Sequence, residues 1–173
     1  YEFIMNNEIT LTYPVGGESW VPGDGEVIRW DTYGNNGNFT LEYTNNGGVN
    51  WQLISSSVSG SSRHYVLNPG PSSTTDNAKV RISRNGILDE SEAPFTNIGV
   101  PSNLSVYWAC PVSINVSWNA VSNATSYEGS MLGQKYMDSI FTTTSTNIWI
   151  ANPNPNVVSS WFSVKAKINN GKG

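Results

Sequence analysis

The chain has 173 residues, a net charge of −4 and a sequence pI of about 4.8, so it lacks the basic footprint that nucleic-acid binding needs to neutralise phosphate. Charged residues are 13% of the total; Asn, Ser, Thr and Gly carry the polarity instead, and with many aromatics and frequent Gly/Pro punctuation this favours short strands over helices. No apolar run approaches the roughly 20 residues that span a bilayer, and the single cysteine, Cys110, excludes an internal disulfide and leaves stability to hydrophobic cores.

In chain order, Ile9, Leu11 and Tyr13 alternate as a strand with one buried face should. Pro14-Val15-Gly16-Gly17 is a turn, and after Pro22-Gly23-Asp24-Gly25 the alternation resumes at Ile28 and Trp30. Phe39, Leu41 and Tyr43 form a third strand. Asn45-Asn46-Gly47-Gly48 is a hairpin signal, since Asn and Gly tolerate positive φ, and Trp51 and Leu53 continue on the return strand. His64–Leu67, Ala78–Arg84 (Val80 and Ile82 inward) and Ala93–Ile98 complete a first module over residues 9–98.

Gly99-Val100-Pro101-Ser102 reads as a linker stiffened by Pro. A second strand series, residues 103–173, follows. Leu104, Val106 and Trp108 share a face, as do Ile114, Val116 and Trp118, and Tyr127 and Met131 with Gly129 between them. Tyr136–Thr142 is a strand; Ile148 and Ile150 alternate before Asn152-Pro153-Asn154-Pro155 breaks the chain. Phe162, Val164 and Ala166 mark the last clear strand, and Asn169-Asn170-Gly171-Lys172-Gly173 reads as a turn with nothing after it. The expected fold is all-β, two consecutive immunoglobulin-like or fibronectin III-like sandwiches, the second lacking its own last strand.

The first module, with Pro14-Val15-Gly16-Gly17-Glu18-Ser19-Trp20, Ile28-Arg29-Trp30, LEYTNNGGVNW, AKVRISR and an acidic stretch before Phe95, resembles the secreted β-sandwich repeats of the Ser/Thr-rich anchored wall-protein (KNH-like) family and of large bacterial surface proteins. That resemblance implies a spacer or wall-associated role without catalytic residues. The second module, with Pro101-Ser102-Asn103-Leu104, VSWNAV, SYEG and FSVKAKINNGKG, is similar to fibronectin type III. Trp118 falls where that family keeps its buried strand-B Trp; Gly129 sits where a β-branched residue is usual, which implies a loose strand, and Ser160 replaces the family's corner Tyr. The two resemblances imply an extracellular or cell-surface setting.

Such a sandwich without strand G leaves strand F as an open edge. Residues 1–8 precede the first module, and within them Tyr1, Phe3 and Met5 alternate as a spare half-buried strand. Chain end followed by chain start reads "AKINNGKG–YEFIM", a strand F, a Gly-rich turn and a strand G. Tyr1, Phe3 and Met5 are therefore candidates to fill the strand-G slot beside Phe162, Val164 and Ala166. Asn6-Asn7-Glu8 reaches about 10 Å, whereas a sandwich is about 30–35 Å long, so the slot belongs to another copy if the modules lie end to end. The result is a head-to-tail fibre or one unit of a tandem array. The plainer alternative is that the leading residues belong to a tag or a preceding module; a start at Tyr1 rather than Met fits a processed product or a fragment.

Little here points to catalysis. His64 is the sole histidine and no triad or nucleophile-elbow motif accompanies it; it reads as a packed or edge imidazole. With one His and one Cys far apart, no zinc site is expected, and Cys110 reads as a buried thiol or one with a partner outside the chain. Asp89, Glu90 and Glu92 lack calcium-loop spacing and read as a solvated loop. No cofactor is implied. Of four N-glycan acceptor patterns, at Asn38, Asn103, Asn115 and Asn123, most are explained by composition, and they matter only in a eukaryotic source. Of seven Trp, Trp149 and Trp161 are out of phase with their apolar neighbours and are candidates for outward positions. There they would stack on sugars or dock a neighbouring module, unless they pack across strands of an outer sheet. The expected function is a structural or adhesive surface module that partners other copies or adjacent modules; the alternative is an accessory, carbohydrate-binding domain pair of a secreted hydrolase.

Overall fold

The computed structural model describes residues 9–110, 113–133, 135–151, 161–169 and 171–172. They form strands and turns, in two compact units that divide between Asn97 and Ile98. Among the described residues no helix is long and apolar enough to cross a membrane.

The first unit contains β1 (Ile9–Tyr13), β2 (Ser19–Trp20), β3 (Glu26–Thr32), β4 (Phe39–Thr44), β5 (Gln52–Val58), β6 (His64–Leu67), β7 (Thr75–Arg84), β8 (Ile87–Glu90) and β9 (Phe95–Asn97). One sheet has the order β1-β3-β6; the other runs β2-β9-β7-β4-β5, with β8 also paired to β7. The alternation read from sequence sets the core: Ile9, Leu11, Ile28, Trp30, Phe39, Leu41, Tyr43, Val80 and Ile82 are buried and, apart from the buried Thr44, the residues alternating with them along each strand are less so. Each such side chain taken from water stabilises the unit by about 1.5–3 kcal/mol before entropy is counted. Trp20 packs 4.5 Å from Phe95, centroid to centroid, and Trp30 meets Phe39 edge-on at 5.1 Å.

The acidic stretch is a solvated loop only at Glu92, which is exposed in a bend; Asp89 and Glu90 lie in a strand. Ile87–Glu90 is strand β8, paired in register with Arg81–Arg84 of β7 across a turn at Asn85-Gly86, both at positive φ (53° and 84°). This is the pairing of residues that a two-residue hairpin requires.

The second unit contains β10 (Ser105–Cys110), β11 (Ser113–Ser117), β12 (Ser126–Leu132), β13 (Met137–Thr143), β14 (Asn147–Ala151), β15 (Phe162–Ile168) and β16 (Gly171–Lys172). Its sheets are β10-β11-β14 and β13-β12-β15-β16. Ile98, Ile114, Val116, Trp118, Tyr127, Ala166 and Ile168 are its buried core. Ile98, expected to end the first module, is in this unit's core, and the segment expected as a linker is tied to the same unit: the backbone N–H of Asn119 donates to the carbonyl of Ser102 at 2.8 Å.

Two expectations for this unit are corrected. The chain does not leave the turn at Asn169 with nothing after it, because Gly171 and Lys172 return to pair with Ile168 and Lys167. Nor is β12 loose at Gly129. A Cβ there would lie 1.9 Å from Cζ of Phe141, its cross-strand partner. The Phe141 ring occupies the space over the glycine and stacks on Trp118, with ring centroids 5.9 Å apart and planes 13° from parallel. Tyr1, Phe3, Met5, Ser160 and the Asn152–Pro155 break lie outside the described residues, as do the side chains of Trp108 and Cys110.

Candidate functional site

In the first unit the residues that invited a chemical reading hold the fold. Oδ2 of Asp89 accepts the backbone N–H of Leu11 at 2.7 Å, tying β8 to β1. Glu90 pairs with Lys79 at 3.0 Å. His64 is exposed on β6, the edge strand of its sheet, opposite Arg29. Among the described residues no three His, Cys, Asp or Glu side chains come together as metal ligands. Two hollows, of about 240 Å³ beside Tyr43 and Leu67 and about 310 Å³ beside Tyr13 and Glu26, sit at the small end of ligand pockets.

Most positions of the Pro14–Trp20 motif have a structural role. The Glu18 carboxylate accepts the N–H groups of Val15 (2.8 Å) and Gly16 (2.7 Å), closing the turn. Gly16 has φ +135° and lies against Ala93, where a Cβ would come within 2.6 Å of the Ala93 Cβ. The Gly17 N–H donates to the Pro94 carbonyl and that of Ala93 to the Val15 carbonyl, both at 3.0 Å. Trp20 is fully buried, its indole N–H donating to the Tyr13 hydroxyl at 3.2 Å. The motif thus carries the chain from β1 in one sheet to β2 in the other. Ser91 locks the opposite side: its buried hydroxyl donates to the Pro14 carbonyl at 2.9 Å and accepts the Val80 N–H at 3.0 Å.

The candidate assembly site lies in the second unit, on β15. One side of this strand pairs with β12 along Phe162–Lys167. On its other side β16 reaches only Lys167 and Ile168, and among the described residues no strand pairs with that side over Phe162–Ala166. Burial follows the pairing. Ala166 and Ile168 are buried, whereas Phe162 and Val164, which also pack against the core, remain half-exposed. The outer face of the same sheet is charged: Glu128 pairs with Lys167 and, at 3.5 Å, with Lys165. The hydrogen bond from Lys167, reinforced by the charge of Lys165, holds the Glu128 carboxyl below its ordinary value.

Trp149 and Trp161 are both exposed, at 58% and 68%, but they do not form one surface. Trp161 immediately precedes β15, and its carbonyl accepts the Leu132 N–H at 2.9 Å, so it belongs to the edge of the β13-β12-β15-β16 sheet. Trp149 lies on β14, in the other sheet. Its cross-strand partner there is Asn115, and the partner of Asn115 on the far side is Tyr107. Tyr107 is 65% exposed and was not singled out in the sequence, although its phase against Val106 and Trp108 would have marked it.

No protein-family model and no curated protein matches the chain. A two-domain fibronectin type III segment of chicken tenascin is similar over 96% of this chain and 93% of that one, with 14% identity and a TM-score of 0.50. The chain carries two sandwiches of the fibronectin type III-like, immunoglobulin-like fold. The FN1–FN3 domains of chicken CNTN1 align over 90% of this chain at 16% identity and TM-score 0.39, and this chain spans 61% of their length. The fibronectin(III)-like modules of Clostridium thermocellum CbhA align over 95% of this chain and 87% of theirs, at 15% identity and TM-score 0.34.

Proposed function

We propose that this chain is a non-catalytic structural or adhesive module of an extracellular or cell-surface protein. In this reading the strand-G slot of its second unit is completed by residues 1–5 of a neighbouring unit. The observation that carries it is the edge of β15: a two-residue stub of strand G begins the pairing at Ile168 and Lys167, and Phe162 and Val164 beyond it are half-exposed. An open edge beside a partly uncovered core is the situation that strand addition satisfies, through main-chain hydrogen bonds and alternate side chains. The wall-protein-like motif of the first unit supports a spacer role, since Glu18, Gly16 and Trp20 serve the fold.

The register restricts how the slot is filled. Lys172 lies opposite Lys167, so in a continuous strand Gly173 falls opposite Ala166 and the next residue opposite Lys165. A Tyr1 joined directly behind Gly173 would face outward with Lys165, and Glu2 would face the core beside Val164. Side chains alternate with period two, so one position of slip reverses this. Donation by a separate chain has that freedom: Tyr1 then pairs with Val164 and Phe3 with Phe162, and Glu2 lies outward, opposite Ser163.

Cysteine cross-linking tests this in a Cys110→Ser background. Paired residues in adjacent strands lie within disulfide range. Glu2→Cys with Ser163→Cys is expected to give intermolecular disulfides and a ladder of oligomers, and deletion of residues 1–7 is expected to leave a monomer by light scattering. Cross-linking through Phe3→Cys with Ser163→Cys instead would indicate the directly joined register of a tandem array. A wild-type chain that stays monomeric with and without residues 1–7, and cross-links in neither pair, would rule strand donation out.

A further inference from the structure

The outer face of the β10-β11-β14 sheet is a three-stranded surface whose described side chains are uncharged. None of Ser105–Cys110, Ser113–Ser117 and Asn147–Ala151 contains Asp, Glu, Lys or Arg. Across its middle run three residues in register, Tyr107 on β10, Asn115 on β11 and Trp149 on β14. The row beside it is Ser105, Ser117 and Asn147. Their inward neighbours Val116, Ile114, Ile148 and Ile150 pack in the core, which fixes the parity and turns the row to solvent.

The two rings are separated by two strand spacings, about 10 Å, the reach of one disaccharide. Tyr107 and Trp149 are 65% and 58% exposed, so both side chains are accessible to a ligand. Between them the Asn115 amide is steadied by donating Nδ2–H to the Ile148 carbonyl at 3.3 Å. Its Oδ1 accepts no hydrogen bond from the described residues.

We infer that this row is a binding platform for a neutral, flat, β-linked polysaccharide. Pyranose rings present C–H faces that stack on aromatic rings and a rim of hydroxyls that hydrogen-bond to amides and Ser. A sheet face carrying two exposed aromatic side chains in register, with an amide between them and hydroxyl side chains beside them, suits that pattern. The absence of charge disfavours phosphate and sulfated ligands, which need cations. A protein partner of ordinary affinity buries about 800 Å² per side around an apolar centre; here the apolar centre is two rings split by Asn115 and bordered by Ser105, Ser117 and Asn147.

The test uses the full chain with cellohexaose as probe and maltohexaose as the α-linked control, by calorimetry and tryptophan fluorescence. Saturable cellohexaose binding is expected. Trp149→Ala and Tyr107→Ala should each weaken it by about tenfold or more, Asn115→Ala by less. Trp161→Ala, on the other sheet, should leave it unchanged, and Tyr107→Phe should retain it. These positions are exposed, so unaltered thermal melting of each variant separates loss of binding from loss of fold. Deleting residues 1–7 leaves the platform intact, so this inference and strand donation fail independently. No binding of cellohexaose by the wild type would overturn it, as would binding that survives Trp149→Ala or equal binding of maltohexaose. A wild-type dimer dispersed by Trp149→Ala would assign the face to a second copy instead.

Discussion

Gly129→Ala is expected to destabilise the second unit, against the usual preference of strands for Ala over Gly. Glycine within a strand ordinarily costs roughly 0.5–1 kcal/mol relative to Ala, so propensity alone predicts a gain. The backbone at Gly129 is not in the left-handed region, and the obstacle is steric: the new methyl carbon would lie 1.9 Å from Cζ and 2.2 Å from Cε1 of Phe141. The ring cannot swing aside freely, because it is stacked on Trp118, which in turn meets Tyr127 edge-on at 5.4 Å. Overpacking of this kind costs about 1–3 kcal/mol. In a domain of this size that lowers the melting temperature by about 4–24 °C. Differential scanning calorimetry should show one transition shifted and the other, from the first unit, unmoved. A second variant makes the cause separable. Phe141→Ala removes a partly buried ring and costs about 2–4 kcal/mol, and in that background Gly129→Ala should be neutral or stabilising by about 0.5–1 kcal/mol. If Gly129→Ala is neutral with Phe141 in place, the ring does not hold its position over the glycine and the account of β12 is wrong.

Glu18→Ala leaves the N–H groups of Val15 and Gly16 without their acceptor and should cost the first unit about 1–3 kcal/mol, read as a shift of that unit's transition alone. Ser91→Ala removes two hydrogen bonds from a fully buried hydroxyl, with a loss of similar size, about 1–3 kcal/mol, by urea titration. The carboxyl of Glu128 is held below its ordinary value of 4.5, so the stability it contributes is present above that pH and is lost as pH falls through the lower folded value. Glu128→Gln should therefore flatten the acid side of the second unit's melting temperature against pH, and an unchanged acid limb would refute the pairing.

The strand alternation was legible because it follows directly from burial of one face: Ile28 and Trp30, Phe39 and Leu41, and Ile114 and Val116 are core residues in sequence and in structure alike. What escaped the reading depended on partners distant along the chain. Asn85-Gly86 is a strong local hairpin signal, but the strand it begins, Ile87–Glu90, ends in two acids. Only the pairing with β7 and the hydrogen bond that Asp89 accepts from the Leu11 N–H make that segment a strand. Gly129 looked like a weakness because Phe141, twelve positions on, supplies its missing side chain. Phase alone turned Trp149 and Trp161 outward, yet phase says nothing about which sheet a strand joins, so their separation onto different sheets needed the topology. Strand β2 has two residues, too few for any periodicity to register.

The edge of β15 and the Tyr107–Asn115–Trp149 row belong to opposite sheets of one unit. A strand added beside β15 extends the β13-β12-β15-β16 sheet sideways and leaves the outer face of β10-β11-β14 uncovered. A filament built by strand donation would then display one platform per copy. Linked weak sites gain avidity through effective concentration when several engage one ligand, without any new contact. A soluble hexasaccharide meets one platform at a time, whereas an insoluble polysaccharide surface meets many. Deletion of residues 1–7 should therefore leave the affinity for cellohexaose unchanged and reduce retention on microcrystalline cellulose, by about tenfold or more if two or more platforms engage. Equal retention of the full chain and the deletion variant, with cellohexaose binding intact in both, would show that the two features do not act together.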